Sequence, residues 1–285
     1  MAEDIKIMHI SDIHYSGLKD SSRLEKLYNI IKNYKTNYIC ITGDLIDSNN
    51  VVESDINSKY LIEWIKKLSK LSVILISLGN HDIFLRNRHK LVKYYNKDFW
   101  NRIRSINNVY VLDNEVYSDK NIYVYGFTLS YEYYYKYKKE SVKLLLDEIN
   151  KNRVNEINEN KLKICMMHSP LRLSEKSVKE KFNCYDLILT GHMHNGVVPP
   201  IIDEIFDNDI GIISPGKKLF PKMARGIIID NNILSISAGM IKFHVTVTPL
   251  IRWANIIYPI PINIINVTNK KCDTKKSHRY VKQNY

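Results

Sequence analysis

The stretch IKIMHISDIH, residues 5–14, joins a run of apolar residues to two side chains that can bind a metal. A short apolar run bounded by polar residues is typical of a strand buried on both faces of a sheet. Asp12 and His14 follow the run directly, and residues two apart in an extended segment point to the same side. The stretch therefore predicts a buried strand whose carboxyl end carries a carboxylate and an imidazole.

Other apolar runs along the chain also predict buried strands: YICIT (38–42), VILIS (73–77), LKICMM (162–167) and DLILT (186–190). Between the first three strands, apolar residues recur at helical spacing, with Leu24, Leu27 and Ile31 on one face. Later strand candidates indicate a second sheet: VYVLD (109–113), NIYVYGF (121–127), IGIIS (210–214), RGIIID (225–230) and ILSIS (233–237). The sequence thus predicts an α/β sandwich of two sheets with helices outside.

Each of the five core strands is followed by Asp, Asn or His. Seven candidate metal ligands stand at these strand ends: Asp12, His14, Asp44, Asn80, His168, His192 and His194. Any one of them alone would usually be an ordinary loop residue, because Asp, Asn and Gly favour turns. Ligands bind at the carboxyl ends of strands in open α/β sheets, so we expect these side chains to converge.

The chemistry of this donor set suits divalent metals. Two carboxylates, four imidazoles and one amide oxygen, with no thiolate, are typical ligands of Zn, Mn or Fe. Seven donors exceed the need of one ion with open positions, so two ions that share a carboxylate are the economical solution. The four cysteines, Cys40, Cys165, Cys184 and Cys272, lack the spacing of a thiolate zinc site and are expected to be free thiols.

An ordered series of motifs resembles the calcineurin-like metallophosphoesterases: DIH (12–14), GDLID (43–47), GNHD (79–82), HSP (168–170) and GHMH (191–194). The resemblance spans residues 5 to about 240 and implies an α/β fold, a four-layer αββα sandwich of two mixed sheets. Among the branches of this family, the single-domain bacterial one that includes the YkuE-type enzymes looks most similar, because SPGKKLFPKMARG (214–226) resembles its segment after the last histidines. GHMHNG departs from the GHTHGG of that branch, so the substrate activities of those relatives are not transferred.

The resemblance also implies roles for individual residues. One ion would be held by Asp12, His14 and His194, the other by Asn80, His168 and His192, with Asp44 bridging the two. His81 would face the scissile phosphate and protonate the leaving oxygen, while Asp82 orients its ring. A metal-bridging hydroxide would be the nucleophile. Manganese is the leading expectation for both ions, with iron or zinc as alternatives.

The implied function is hydrolysis of a phosphodiester, phosphomonoester or pyrophosphate bond in an anionic substrate. Within that class, a cyclic-nucleotide phosphodiesterase, a nucleotide-sugar or lipid pyrophosphatase, a protein phosphatase and an exonuclease all stay open. The alternative from another class is a non-catalytic scaffold of the same fold that binds a protein or nucleic-acid partner. Loss of ligands would be its signature, and the sequence keeps all seven donors and His81.

The net charge of +12 is concentrated in two segments rather than spread along the chain. Residues 86–104 carry a net +6 and begin four residues after Asp82, so they could form a basic flap that receives an anionic substrate, with Arg86 and Arg88 as candidate substrate-binding residues. The favoured alternative is an amphipathic surface helix whose aromatic residues pack on the core. Residues 270–285 carry a net +5 and are expected to be a solvated tail.

The chain is expected to divide into a metallophosphoesterase domain (1–248) and a C-terminal extension with a basic tail (249–285). Within the extension, residues 248–267 could rest in an anionic membrane interface, although core packing along a sheet edge is favoured. The tyrosine-rich segment 131–137 could stack bases, but a structural role is favoured, so no nucleic-acid partner is expected. MAEDIKIMHISD has no leader pattern, which predicts a cytoplasmic protein, with peripheral membrane association as the open alternative.

Overall fold

The structure is a computed structural model, and it describes residues 4–87, 90–135, 141–152, 154, 161–170, 173–198, 209–214, 219–229, 232–240, 260, 262–267 and 281–284. The strands lie at Ile5–Ile10 (β1), Tyr38–Thr42 (β2), Val73–Ser77 (β3), Phe84–Asn87 (β4), Lys90–Lys93 (β5), Val109–Leu112 (β6), Glu115–Ser118 (β7), Ile122–Phe127 (β8), Leu162–Met167 (β9), Leu187–Thr190 (β10), Gly226–Ile229 (β11), Ile233–Ile236 (β12), Ile262–Val267 (β13) and Val281–Asn284 (β14). The helices lie at Ser21–Tyr34 (α1), Asn49–Glu53 (α2), Asp55–Ser69 (α3), Lys97–Arg104 (α4), Tyr131–Tyr135 (α5), Ser141–Lys151 (α6) and Lys176–Lys179 (α7).

Two mixed sheets form the centre of the fold. The first has the order β14-β13-β1-β2-β3-β6. In it β1, β2, β3 and β6 run parallel, and β13 is antiparallel to both of its neighbours, β1 and β14. The second has the order β11-β12-β10-β9-β8-β7, with a parallel centre and an antiparallel strand at each edge. Strands β4 and β5 form a separate hairpin.

The strands are apolar on both faces because each sheet is covered on both sides. One cluster of buried side chains lies between the sheets and includes Ile7 and Cys40 from the first and Ile164 and Leu189 from the second. The outer face of the first sheet packs against α1, α3 and α4. The outer face of the second packs against α5, α6 and α7. This arrangement confirms the predicted four-layer αββα sandwich.

Some expected elements differ in the structure. Residues 210–214 do not form a strand: Ile213 makes only an isolated bridge to Leu219. The basic segment 86–104 is not one helix, because its first part pairs as the β4–β5 hairpin and only the part from Lys97 onward forms α4. Phe99 and Trp100 of α4 are buried, as the amphipathic interpretation requires.

Part of the expected C-terminal extension belongs to the first sheet. Ile262–Val267 pairs antiparallel with β1, which confirms core packing for these six residues. Val281–Asn284, expected in a solvated tail, pairs with β13 instead. The rest of the basic tail lies outside the described residues, and its contact with an anionic membrane stays a prediction that liposome sedimentation would test. Among the described residues, no helix is long and apolar enough to cross a membrane.

His9 joins the two sheets through hydrogen bonds in the layer between them. Its Nε2 lies 2.9 Å from Thr42 Oγ1 on β2, and its Nδ1 lies 3.2 Å from Ser235 Oγ on β12. Asn263 on β13 donates from Nδ2 to the same Ser235 oxygen at 3.1 Å. Burial lowers the pKa of His9 to about 3, so the folded chain keeps this ring neutral.

Protonation of His9 is expected to destabilise the fold in acid. Between pH 6.5 and about pH 3 the unfolded chain binds a proton at His9 that the folded chain does not, so stability falls as the pH is lowered through this window. At about pH 4.5 the loss is on the order of 2 kcal/mol. His9→Gln removes the titrating group, and its metal-free form should lose less stability between about pH 7 and pH 4.5 than metal-free wild type, as measured by urea unfolding.

The control for this experiment is Ser235→Ala, which removes a partner of His9 but no titrating group. It should lower stability similarly at both pH values. An acid loss in His9→Gln equal to that of wild type would contradict the interpretation.

Candidate metal centre

The carboxylate of Asp12 lies among three imidazoles just beyond the end of β1. Its Oδ1 is 3.8 Å from His14 Nε2, 3.8 Å from His194 Nε2 and 3.9 Å from His168 Nε2. The side chain of Asp12 is fully buried. A buried carboxylate therefore faces nitrogens that arrive from both sheets.

The carboxylate of Asp44, beyond the end of β2, has a similar environment. Its Oδ2 is 3.1 Å from His168 Nε2, 3.6 Å from His14 Nε2 and 4.0 Å from His81 Nε2. His14 and His168 thus lie close to both carboxylates. This sharing is what links the two carboxylates into one centre.

Among the described residues, potential metal-ligand atoms form three groups, each with all its atoms within 4.8 Å of one another: Asp12, His14 and His194; Asp44, His168 and His192; and His14, Asp47 and His81. The first group contains the three residues expected to hold one ion. The second contains the two histidines expected at the other ion together with the expected bridging carboxylate. The third group overlaps the first through His14.

Asn80, the remaining expected ligand, follows β3. Its side chain is buried, and its Oδ1 has no hydrogen-bond partner among the described residues. A buried amide oxygen without a partner costs free energy, and a hard cation is a suitable partner for it. The orphaned oxygen of Asn80 therefore fits a metal site.

The backbone at the centre is strained. Five of the seven expected ligands have a positive φ: Asp12 (52°), His14 (47°), Asp44 (52°), His192 (69°) and His194 (47°). Non-glycine residues seldom adopt this region, and each such residue costs about 1–3 kcal/mol. The chain bends sharply after each strand, and these bends aim the side chains at a common point.

Two positions at the centre require glycine because other parts of the chain approach their Cα atoms closely. Gly43 has φ +79°, and a Cβ there would lie 2.6 Å from His168 Nδ1. A Cβ on Gly79 would lie 2.2 Å from Asp44 Oδ1. Any side chain at either position would displace an expected ligand.

The buried groups of the centre have strongly shifted proton affinities. Burial lowers the pKa of His14 and of His192 well below the usual range, so both rings are neutral, as metal ligands must be. Burial opposes ionisation of Asp44, but His168 and His81 hold its pKa well below the usual range. Burial also disfavours charge on His168, yet the carboxylates of Asp44 and Asp12 raise its pKa to about 9.

His168 shows why the centre calls for a cation. Its Nδ1 lies 2.8 Å from the Thr42 carbonyl, which can only accept, so Nδ1 carries a proton. Its Nε2 then faces Asp44 Oδ2 at 3.1 Å and His192 Nδ1 at 3.1 Å. Nε2 and the Asp44 oxygen both present lone pairs to each other, so either a second proton on His168 or a metal ion must lie between them. The donor set fits a divalent metal, with Nδ1 anchored as metal-bound imidazoles commonly are.

His81 lies at the edge of the centre rather than within it. Its ring packs edge-on against His14 at 4.5 Å between centroids. Its Nδ1 lies 2.5 Å from the backbone carbonyl of Asp47, and its backbone N–H donates to Asp44 Oδ1 at 2.8 Å. Since a carbonyl only accepts, Nδ1 carries the proton and Nε2 is the nitrogen that can exchange one.

The carboxylate of Asp82 is buried beside the centre and is held by backbone amides. It accepts hydrogen bonds from the backbone N–H groups of Gly79 at 2.8 Å, Asp44 at 2.8 Å and Ile46 at 3.2 Å. These amides hold the buried carboxylate in place, and the expectation that Asp82 orients the His81 ring stays a prediction. Burial and the charge of Asp44 raise the pKa of Asp82 to about 7. Asp82 ties the loop after β2 to the loop after β3.

Sequence reasoning missed three residues beside the centre. Asp47 is the last residue of the GDLID motif (43–47), and this position could have identified it as a residue of the centre. Asn49 donates from Nδ2 to the carbonyls of Asp82 at 3.0 Å and Phe84 at 2.7 Å, and so fixes the segment after His81. Tyr134 packs its ring against His168 and His192, and burial raises its pKa well above the usual value. Polar residues such as Asn49 and Tyr134 carried no sequence signal for this placement.

Of the two candidate substrate-binding arginines, Arg86 and Arg88, only the backbone of Arg86 belongs to the described residues. Arg86 belongs to β4, which follows the His81 segment, but its side chain lies outside the described residues. Arg88 lies wholly outside them. The backbone of the hairpin nevertheless begins within three residues of His81.

Comparisons with known proteins connect this chain to the metallophosphoesterases. The family model described as calcineurin-like phosphoesterase matches residues 5–196. An uncharacterized metallophosphoesterase from Aquifex aeolicus (strain VF5) is 28% identical over 234 residues, which cover 79% of this chain and 77% of that protein. Uncharacterized protein R555 of Acanthamoeba polyphaga mimivirus is 25% identical over 209 residues, which cover 66% of this chain and 14% of that protein.

A solved structure aligns over 99% of this chain and 99% of its own, at 11% identity and a TM-score of 0.51, which shows likeness of fold alone. The match to the YkuE-type branch stays a prediction. The family model covers well over half of the chain and contains all seven strand-end ligand candidates. The chain therefore belongs to the calcineurin-like phosphoesterase family.

Proposed function

We propose that this protein is a metal-dependent phosphoesterase that hydrolyses a phosphodiester, phosphomonoester or pyrophosphate bond with two divalent ions. The observation that carries the proposal is the pair of adjacent ligand groups, Asp12 with His14 and His194, and Asp44 with His168 and His192. Family membership supports the hydrolase class. Manganese is the first candidate for both ions, with iron or zinc as alternatives, because carboxylate and imidazole ligands suit all three.

In this proposal the two groups hold one ion each. Asp12, His14 and His194 would hold the first, and Asn80, His168 and His192 the second. Asp44 would be shared, which its short distances to both His14 and His168 support. When bound, the two ions would supply a nucleophilic hydroxide between them and offset the charge of the phosphoryl oxygens.

The residues of the chain supply orientation and proton transfer. The Asp47 carbonyl fixes the tautomer of His81, so that Nε2 faces the centre, 4.0 Å from Asp44 Oδ2. A protonated Nε2 there can donate to the leaving oxygen of a substrate held beside Asp44. His81 is the general acid of the proposal, and Asp82 and Asn49 are positioning residues that hold its segment.

Metal loading should depend on Asp44. Asp44→Ala removes the shared carboxylate and should abolish binding of at least one of the two ions, as measured by metal analysis of the purified protein. Asp119→Asn is the matched control, since Asp119 accepts from Tyr38 Oη at 2.6 Å near the opposite ends of the strands. The control should keep the wild-type metal content. A wild-type metal content in Asp44→Ala would contradict the proposal that the two ions share Asp44.

His81→Ala should keep both ions, because no expected ligand is changed, and should lose about 10²–10⁴-fold in kcat. The pH–rate profile should also lose the limb that reports the general acid. Metal analysis beside kinetics checks both points. Wild-type turnover in His81→Ala would rule out the assigned role.

The function itself is tested with a panel of an aryl phosphomonoester, an aryl phosphodiester and a pyrophosphate on one Mn-loaded preparation. We expect hydrolysis of at least one, its loss with a chelator, and its return with added Mn²⁺. Inactivity toward all three at full metal occupancy would instead favour a non-catalytic scaffold.

A further inference from the structure

Tyr134 of α5 extends from the second sheet's side into the wall of the metal centre. Its ring centroid lies 5.5 Å from that of His192 and 6.1 Å from that of His168, with the rings tilted against each other. Tyr133 packs edge-on against Tyr134, with 5.7 Å between the ring centroids. Three aromatic rings thus contact the ring of Tyr134.

The hydroxyl of Tyr134 is buried and has no hydrogen-bond partner among the described residues. Other inward-facing tyrosines of this chain do have one: Tyr15 donates to the Asn57 carbonyl at 3.2 Å, and Tyr125 to the Asn152 carbonyl at 3.2 Å. A buried phenol without a partner costs free energy, and the fold avoids that cost at these other positions. Tyr134, which is the exception among these tyrosines, lies beside the metal centre.

Three ring nitrogens of the two neighbouring histidines face other groups. His168 uses Nδ1 for the Thr42 carbonyl and turns Nε2 toward Asp44. His192 turns Nδ1 toward His168. The described residues offer the phenol O–H no hydrogen-bond partner, and a molecule that enters the centre can supply the acceptor. Phosphoryl oxygens are strong acceptors for such a donor.

We propose that the Tyr134 hydroxyl contacts the substrate by donating a hydrogen bond to a phosphoryl oxygen. The inference rests on the proposed phosphoesterase function and adds a second protein donor to it. His81 packs against His14, whereas Tyr134 packs against His192. The phosphoryl group would then be held between a donor from each side of the centre.

Tyr134→Phe tests this inference because it removes the hydroxyl and keeps the ring. The probe is inorganic phosphate, titrated calorimetrically into Mn-loaded protein, with metal content and urea unfolding measured on the same samples. We expect unchanged metal content, stability equal to or above wild type, and a Kd for phosphate about tenfold higher, which corresponds to about 1.4 kcal/mol. Tyr125→Phe is the matched control: it should lower stability and leave the phosphate Kd unchanged.

Equal phosphate affinity in Tyr134→Phe and wild type would overturn the inference, while hydrolysis by wild type would leave the proposed function standing. Loss of metal from Tyr134→Phe would also overturn it, because the hydroxyl would then be a metal ligand. Wild-type protein that holds its metals but neither binds phosphate nor hydrolyses the panel would overturn the proposed function and this inference together.

Discussion

Two buried carboxylates crowded by imidazoles are the constraint on which the rest of this structure depends. Asp12 Oδ1 and Asp44 Oδ2 each lie within 4.0 Å of three imidazole nitrogens. Without a cation, the electron-rich atoms around His168 can coexist only if that ring takes a second proton, which its pKa of about 9 reflects. Metal ions supply positive charge in place of that proton, and they also give the orphaned Asn80 oxygen a partner.

The backbone strain of this arrangement is offset by the apolar core. Five ligand candidates with positive φ, at about 1–3 kcal/mol each, approach the net stability of about 5–15 kcal/mol that is usual for a domain. Three apolar clusters, one between the sheets and one outside each, oppose that strain. The side chains of Asp82 and Asn49 fix the strained loops through hydrogen bonds to backbone groups. Metals that bind only the folded chain would add to stability by mass action.

The sequence predicted what strong local patterns encode. Strands β2, β3 and β9 have the predicted bounds, because runs apolar on both faces have few alternatives to a central strand. The strand ends predicted that the ligand candidates would converge, and six of the seven lie in adjacent groups: Asp12, His14, Asp44, His168, His192 and His194. Residues 210–214 were equally apolar but pair only through Ile213, since apolar composition does not determine which strand neighbours exist. The environments of Asp82, Asn49 and Tyr134 depend on contacts between distant segments, and local sequence does not report them.

The most direct test of the account is a crystal structure of the Mn-loaded protein with anomalous diffraction measured at the manganese edge. The account predicts two anomalous peaks per chain, one among Asp12, His14 and His194 and one among Asn80, His168 and His192, with Asp44 in contact with both. A single peak, or peaks away from Asp44, would contradict it.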